Sequence, residues 1–316
     1  MILVNKNFEY AGYRSGVEYQ VTAGKTPHLK MKRETGGIYG FNEPSCVYEL
    51  ESDTQTHSIR EYCINYLFPE GKSSSNSQNK CALLTTLLKM CIDDEWTPDW
   101  IISVSTSESC PEVQNLKGNT SVNGCVFMGS QFFAMDCREY DKDPVELSTL
   151  TIAEPFMGSG SIIDEKKFSD FILMNQSQII DGMHSVKNAP AENLFCDANP
   201  NNISLGVINI TNYNNYKDAD PATHDEFKKF VGSSLIPEGL ETTHAVVEMA
   251  TQIIGTKYHK KMPVLFVSPI VDRYRQFDFD VDGNWGEQNR LGSYNAGVVV
   301  ANMLELIRND LPITND

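Results

Sequence analysis

The sequence predicts one α/β domain, a twisted mixed central β-sheet flanked by helices, and three observations lead there. KCALLTTLLKM (80–90) carries an apolar helical stripe and runs through PDW into IISVST, so loop, helix, buried strand and loop follow in order. The second half repeats the alternation, with LGVINI (205–210), TTHAVVEMATQII (242–254) and PVLFVSPI (263–270) as strand, helix and strand. Finally, 316 residues with 41% hydrophobic and 22% charged side chains suffice for a large core, and no internal repeat or convincing linker divides them.

From the start of the chain, residues 1–70 predict several short strands, MILV and CVYEL among them, broken at Gly36-Gly37 and Asn42-Glu43-Pro44. A helix is expected over 57–67. The Ser-rich GKSSSNSQN (71–79) is either a linker or a loop facing a ligand and opening the next helix. That helix puts Ala82, Leu83, Leu87 and Met90 on one face, and the strand after it delivers Ser105, Thr106 and Ser107 to the carboxyl edge of the sheet, where open α/β sheets bind ligands. GCVFMGSQFFAMD (124–136) predicts a strand or hairpin in which Phe132 and Phe133 face opposite ways. Residues 144–200 carry little chemistry and have the character of an insertion. LGVINI ends at Thr211-Asn212, and a short acidic helix is expected from Thr223. Asp272 lies directly beyond PVLFVSPI. A final helix, 293–307, aligns Ala296, Val299, Val300, Met303, Leu304 and Ile307 toward the core.

Charge and motifs exclude several function classes. With 26 Lys+Arg against 42 Asp+Glu the net charge is −16, so the average surface repels nucleic acid and anionic membranes. No apolar run approaches the roughly 20 residues of a membrane span, and MILVNKNFEY has no export signal, so a soluble, cytoplasmic chain is expected. Eight cysteines without a CxxC pair predict reduced thiols. Six scattered histidines lack metal-ligand spacing, so no metal site is expected. The Rossmann glycine fingerprint, P-loop, HExxH and GxSxG elbow are all missing.

The ordered set LLTTLLKM…PDWIISVSTSES, NGCVFMGSQFFAMD, LGVINITN, HAVVEMATQI and MPVLFVSPIVDRY resembles the purine nucleoside phosphorylase and nucleosidase superfamily. The resemblance spans about residues 80–308, with 1–70 fitting only loosely. It implies a nucleoside phosphorylase-like domain, a homo-oligomer, and cleavage of the N-glycosidic bond of a purine nucleoside or nucleotide without a cofactor. It further implies that Asp272 is the acid protonating the leaving base, since that bond breaks with negative charge building on the purine. A carboxyl at a partly closed strand end can have the raised pKa this needs. A helix cap or a salt bridge to Arg273 is the structural alternative.

Carried over position by position, Glu9 falls where nucleosidases of the family place a base for the water. Glu248 and Met249 match the sugar-binding helix, but Ala250 stands where the ribose-binding Glu is expected. Either Glu248 takes the hydroxyls in a shifted register or the sugar is held differently. Ser105 and Thr106 would position water or sugar, whereas the missing glycines and Glu108 suit an anion poorly, favouring hydrolysis over phosphorolysis. Phe132 or Phe133 would stack on the base, though aromatic strand pairs commonly fill a core. Asn212 replaces a family Asp and cannot carry its charge. Arg273, Arg275 and Arg290 could hold a substrate phosphate or pair with Asp278, Asp280 and Asp282 nearby. The departures leave a second reading open, a catalytically inactive nucleoside-binding sensor or interaction module.

Overall fold

In a computed structural model of the chain, the described residues are 1–35, 40–41, 43–69, 77–109, 122–135, 156–157, 165–185, 194–198, 202–207, 237–273 and 285–309. The sheet is built from three strands at its centre. β1 (Ile2–Val4) pairs in parallel with β5 (Ile101–Val104), which pairs in parallel with β13 (Val264–Arg273). Apolar residues occupy both faces of these strands because both faces are covered by helices. Ile2, Val4, Ile102, Val104, Leu265 and Val267 enter one core, and Met1, Leu3, Ile101, Val264 and Phe266 enter the other.

On one side of the centre, β4 (Thr56–Cys63) pairs in parallel with β1, and the antiparallel strands β3 (Cys46–Glu51) and β2 (Leu29–Glu34) complete that edge. On the other side, β13 pairs with β6 (Ser107–Ser109), and the path continues through β12 (Pro237–Glu241), β11 (Ile203–Val207), β8 (Gln131–Met135) and β9 (Phe156–Met157). β7 (Val126–Gly129) lies off this path, antiparallel to β13 and parallel to β10 (Cys196–Ala198). The sheet is therefore mixed, as expected.

Two helices cover one face, α1 (Asn7–Thr22) and α6 (Trp285–Ile307), packed on each other. Their approach is set by glycine. A Cβ on Gly12, Gly16 or Gly297 would run into the backbone of the facing helix at Arg290, Tyr294 and Tyr13 respectively. α3 (Glu165–Met174), packed on β10, and the short α4 (Gln176–Ile179), packed on α6, join the same core through Phe168, Ile172 and Ile179. The other face is covered by α2 (Ser77–Asp93) and α5 (His244–Tyr258). Leu84, Leu87 and Leu88 of α2 meet Val246, Val247, Ala250 and Ile254 of α5 in the second core.

Several expectations are corrected by these elements. Residues 7–22 form a helix rather than part of a run of short strands, so Glu9 belongs to a first helical turn. Residues 56–63 form β4, and only 64–67 make one 3-10 turn, so the helix expected over 57–67 is not formed. Glu61, Tyr62 and Cys63 are consecutive buried residues there, because β4 is covered on both sides. β7 and β8 are consecutive but do not pair with each other; the chain moves from beside β13 to beside β11, so 124–136 is no hairpin. Asp272 lies inside β13, which runs longer than expected and is irregular between Ile270 and Asp272. The helix expected from Thr223 and the end of LGVINI lie outside the described residues.

Candidate active site

The carboxyl ends of β1, β5 and β13 come together at one edge. Asn5 follows β1 and Ser105 follows β5, joined by backbone bonds from Asn5 N–H to the Val104 carbonyl (3.1 Å) and from Ser105 N–H to the Val267 carbonyl (3.3 Å). β13 extends past this point, and Asp272 pairs in register with Glu108 of β6. Gln288 of α6 donates to the carbonyl of Val271, tying the helix start to the strand beside Asp272. The Asp272 side chain itself lies outside the described residues.

Glu9 is buried at this edge, 2% exposed. Its Oε1 accepts from Asn5 Nδ2 at 3.4 Å and its Oε2 from the Thr106 backbone N–H at 3.3 Å. Burial pushes its carboxyl up from 4.5 to about 7, against the opposing pull of Lys6, the Thr106 N–H and Lys80. A carboxyl titrating near neutrality is matched to proton transfer. Asn5 Nδ2 also donates to Ser105 Oγ at 3.2 Å, and Thr106 Oγ1 donates to Asn289 Oδ1 of α6 at 2.6 Å. The structure thus brings three of the expected residues, Glu9, Ser105 and Thr106, into one network.

A buried cation borders the network. Lys80, in the first turn of α2, is 1% exposed, and its ammonium donates to Asn5 Oδ1 (3.1 Å), the Thr242 carbonyl (3.1 Å) and Thr243 Oγ1 (2.9 Å). Thr243 is the N-cap residue of α5, but its hydroxyl makes no cap bond. The buried carboxylate of Glu241 takes that place, accepting from the backbone N–H of Thr243 and of His244 (2.9 Å) and from Ser204 Oγ (3.1 Å). Burial lowers Lys80 and raises Glu241, and each charge opposes the shift of the other.

Next to it, the His244 ring bridges Ser103 Oγ (2.8 Å) and Ser268 Oγ (2.9 Å), and Ser268 bonds Ser107 Oγ at 3.0 Å. Burial lowers this imidazole to about 3, so it is neutral and offers one donor and one acceptor. The chain of hydroxyls and ring locks β5, β6, β13 and α5 together beneath the site.

The remaining expected residues are placed as follows. Glu248 is buried on α5, its Oε1 accepting from Gln252 Nε2 at 2.9 Å, and Met249 is half-buried. Glu248 is one helical turn beyond the Lys80-bound start of α5, roughly 6 Å along its axis. Ala250 is fully buried among Val246, Val247 and Ile254. A glutamate there would enter an apolar core. Phe132 is fully buried with its ring edge-on to Phe266, centroids 5.7 Å apart, so it packs in the core; the side chain of Phe133 lies outside the described residues. Arg273 pairs in register with Ser109. Arg290 is exposed and bidentate to Glu287, at 2.9 and 2.8 Å, so its guanidinium is already engaged away from the network. Asn212, Arg275 and the acidic residues 278, 280 and 282 lie outside the described residues.

Asn5, Lys80, Glu241, His244 and Asn289 escaped the sequence reading. A lysine in a helix ordinarily lies on the solvated face. The available signal was polar residues inside apolar runs, Ser103 in IISV and Ser268 in VLFVSPI, which need buried partners. Among the described residues no cluster of three metal-ligating side chains occurs, and no helix is long and apolar enough to cross a membrane.

No protein-family model and no curated protein matches the sequence. Solved structures do match in fold. A Borrelia burgdorferi protein assigned as a 5′-methylthioadenosine/S-adenosylhomocysteine nucleosidase, bound to adenine, aligns with a TM-score of 0.51 at 12% identity, covering 97% of this chain and all (100%) of that one. The Colwellia psychrerythraea nucleosidase of the same name, with adenine, aligns at 0.48 and 10% identity over 96% and 93% of the two chains. A methylthioadenosine phosphorylase from an antarctic soil library aligns at 0.46 and 13% identity over 97% and 85%. The chain thus has the nucleoside phosphorylase-like fold, a mixed sheet between two helical layers, at 12% sequence identity to the Borrelia protein.

Proposed function

We propose that the protein hydrolyses the N-glycosidic bond of a purine nucleoside, with Glu9 as the base for the attacking water and Asp272 as the acid for the leaving purine. The observation that carries the reading is the buried Glu9, held by Asn5 and Thr106 N–H at the carboxyl edge of the central strands and poised at about 7. In this reaction a water O–H bond breaks as its proton passes to Glu9, and the water oxygen bonds the anomeric carbon. The C–N bond breaks with its electron pair leaving on the base, which takes a proton from Asp272.

Ser105 orients the water or a sugar hydroxyl. Glu248 and Met249 contact the sugar, and Phe133 stacks on the base, since Phe132 is taken up by the core. Asn212 and Arg273 complete the substrate contacts. Water is favoured over phosphate because the loop after β5 has no glycine and Glu108, 2% exposed, places a buried acid beside it. Adenine nucleosides head the substrate panel, since the Borrelia protein of the same fold holds adenine. The test is chromatographic release of free base from purine and pyrimidine nucleosides and nucleotides, with and without phosphate. Release independent of phosphate and lost in Asp272→Asn is expected. Melting-temperature shifts with nucleoside but no release from any substrate would instead establish the binding module.

A further inference from the structure

We propose that Lys80 is a positioning residue that sets the donor–acceptor polarity of the Asn5–Glu9–Ser105 network, so that Glu9 faces only donors. The inference rests on the hydrolytic reading and assigns a role within that site to a side chain in the helix behind it. It starts from a count of protons. An ammonium has three N–H donors and no lone pair, and Lys80 uses all three, on Asn5 Oδ1, the Thr242 carbonyl and Thr243 Oγ1. Asn5 must therefore turn its oxygen toward Lys80, which leaves its NH2 facing Glu9 Oε1 (3.4 Å) and Ser105 Oγ (3.2 Å).

Two consequences reach the chemistry. Both Glu9 oxygens accept from the protein, one from Asn5 and one from the Thr106 N–H, so the arrangement suits a carboxylate and a water beside it must donate. Ser105 Oγ accepts from Asn5, which frees its own proton to donate to that water or to the sugar. Without the cation the Asn5 amide can flip, presenting Oδ1 to Glu9 and stabilising the protonated, inactive acid. The charged groups facing Lys80 are Glu241 from β12, Lys6, and Glu9 from α1; Glu241 is the anion that offsets its charge. Burying a lysine here is costly, and a methionine would fill the same space if packing were its role.

The test compares wild type with Lys80→Met by pH profile of base release and, independently of any activity, by the melting-temperature difference between each protein and its Glu9→Gln derivative across pH. The second readout locates the titration of Glu9 in the free protein. Lys80→Met is expected to lower kcat about 10- to 100-fold with little change in KM, and to move both the acid limb and the Glu9 midpoint to higher pH. Both midpoints unmoved in folded Lys80→Met would overturn the proposal. If wild type releases no base, the hydrolytic reading fails by itself, and an upward midpoint in the melting series still supports the positioning role. Should Lys80→Met fail to fold, Asn5→Ala takes its place: the same upward movement is expected, and an unchanged midpoint would overturn the relay.

Discussion

Glu9→Gln should make the protein more stable above neutral pH while destroying its activity. The folded protein raises this carboxyl from 4.5 to about 7, with burial the dominant cause. Between those values the folded state holds a proton that the unfolded chain has released, so stability falls as pH rises from about 4.5 to about 7 and stays lower above it. At about 1.4 kcal/mol for each pH unit the loss is about 3 kcal/mol. Glutamine is neutral throughout, and its single amide oxygen can accept from only one of Asn5 Nδ2 and the Thr106 N–H, so it loses one contact at every pH, escapes the pH-dependent loss and cannot take a proton. Thermal melts of the two proteins from pH 4 to 8.5 should therefore diverge, nearly coincident at the acid end and separated by roughly 2–4 °C for each kcal/mol above pH 7. Glu61 and Glu241, also raised by burial, are common to both proteins and cancel in the difference. A difference that stays flat with pH would refute the assignment of a buried, near-neutral carboxyl at position 9.

Four further outcomes follow from the same geometry. Gly16→Ala drives a methyl into the Tyr294 carbonyl across the α1–α6 contact and should cost about 1–3 kcal/mol by chemical denaturation, because overpacking forces the two backbones apart. His244→Ala strands the Ser103 and Ser268 hydroxyls, with an expected loss of about 2–5 kcal/mol at pH 7. In wild type the same imidazole, held neutral down to about 3, makes stability fall as pH drops below 6.5, where the unfolded histidine gains a proton and the folded one does not; melts of His244→Gln should lack that component. Thr106→Val removes the hydroxyl bonded to Asn289 but keeps the backbone N–H on Glu9, so kcat should fall by less than tenfold, checked against Glu9→Gln, which should lose about 100- to 10,000-fold.

The alternation of helix and buried strand was legible because α5, β5, β13 and the end of α6 carry their apolar residues at clear periods and form the centre of the fold; α2 was found as a helix, but its buried face runs through Leu84, Leu87, Leu88 and Cys91 rather than the expected stripe, of which Ala82 is exposed. α1 was not, because its contact face is made of Gly12 and Gly16 and of buried polar residues, Glu9, Arg14 and Gln20, which read as a broken, solvated segment. β4 was misread because Glu61 sits at a fully buried position, where an acid is rare. The same cause hid half of the site. Glu9, Ser105 and Thr106 were reached through the resemblance of the strand ends, whereas Lys80 is a buried charge whose partners lie 75, 162 and 163 positions away, and Glu241, besides capping the adjacent helix, takes Ser204 from 37 positions away, separations over which local pattern carries no information.

The central claim, that water held by Glu9 attacks the sugar, is tested most directly by single-turnover cleavage in water labelled with heavy oxygen, followed by mass spectrometry of the released sugar. The account predicts one labelled oxygen at the anomeric carbon, formed at the same rate with or without phosphate, and formed about 100- to 10,000-fold more slowly by Glu9→Gln. A phosphorylated sugar free of label, or full product formation by Glu9→Gln, would contradict it.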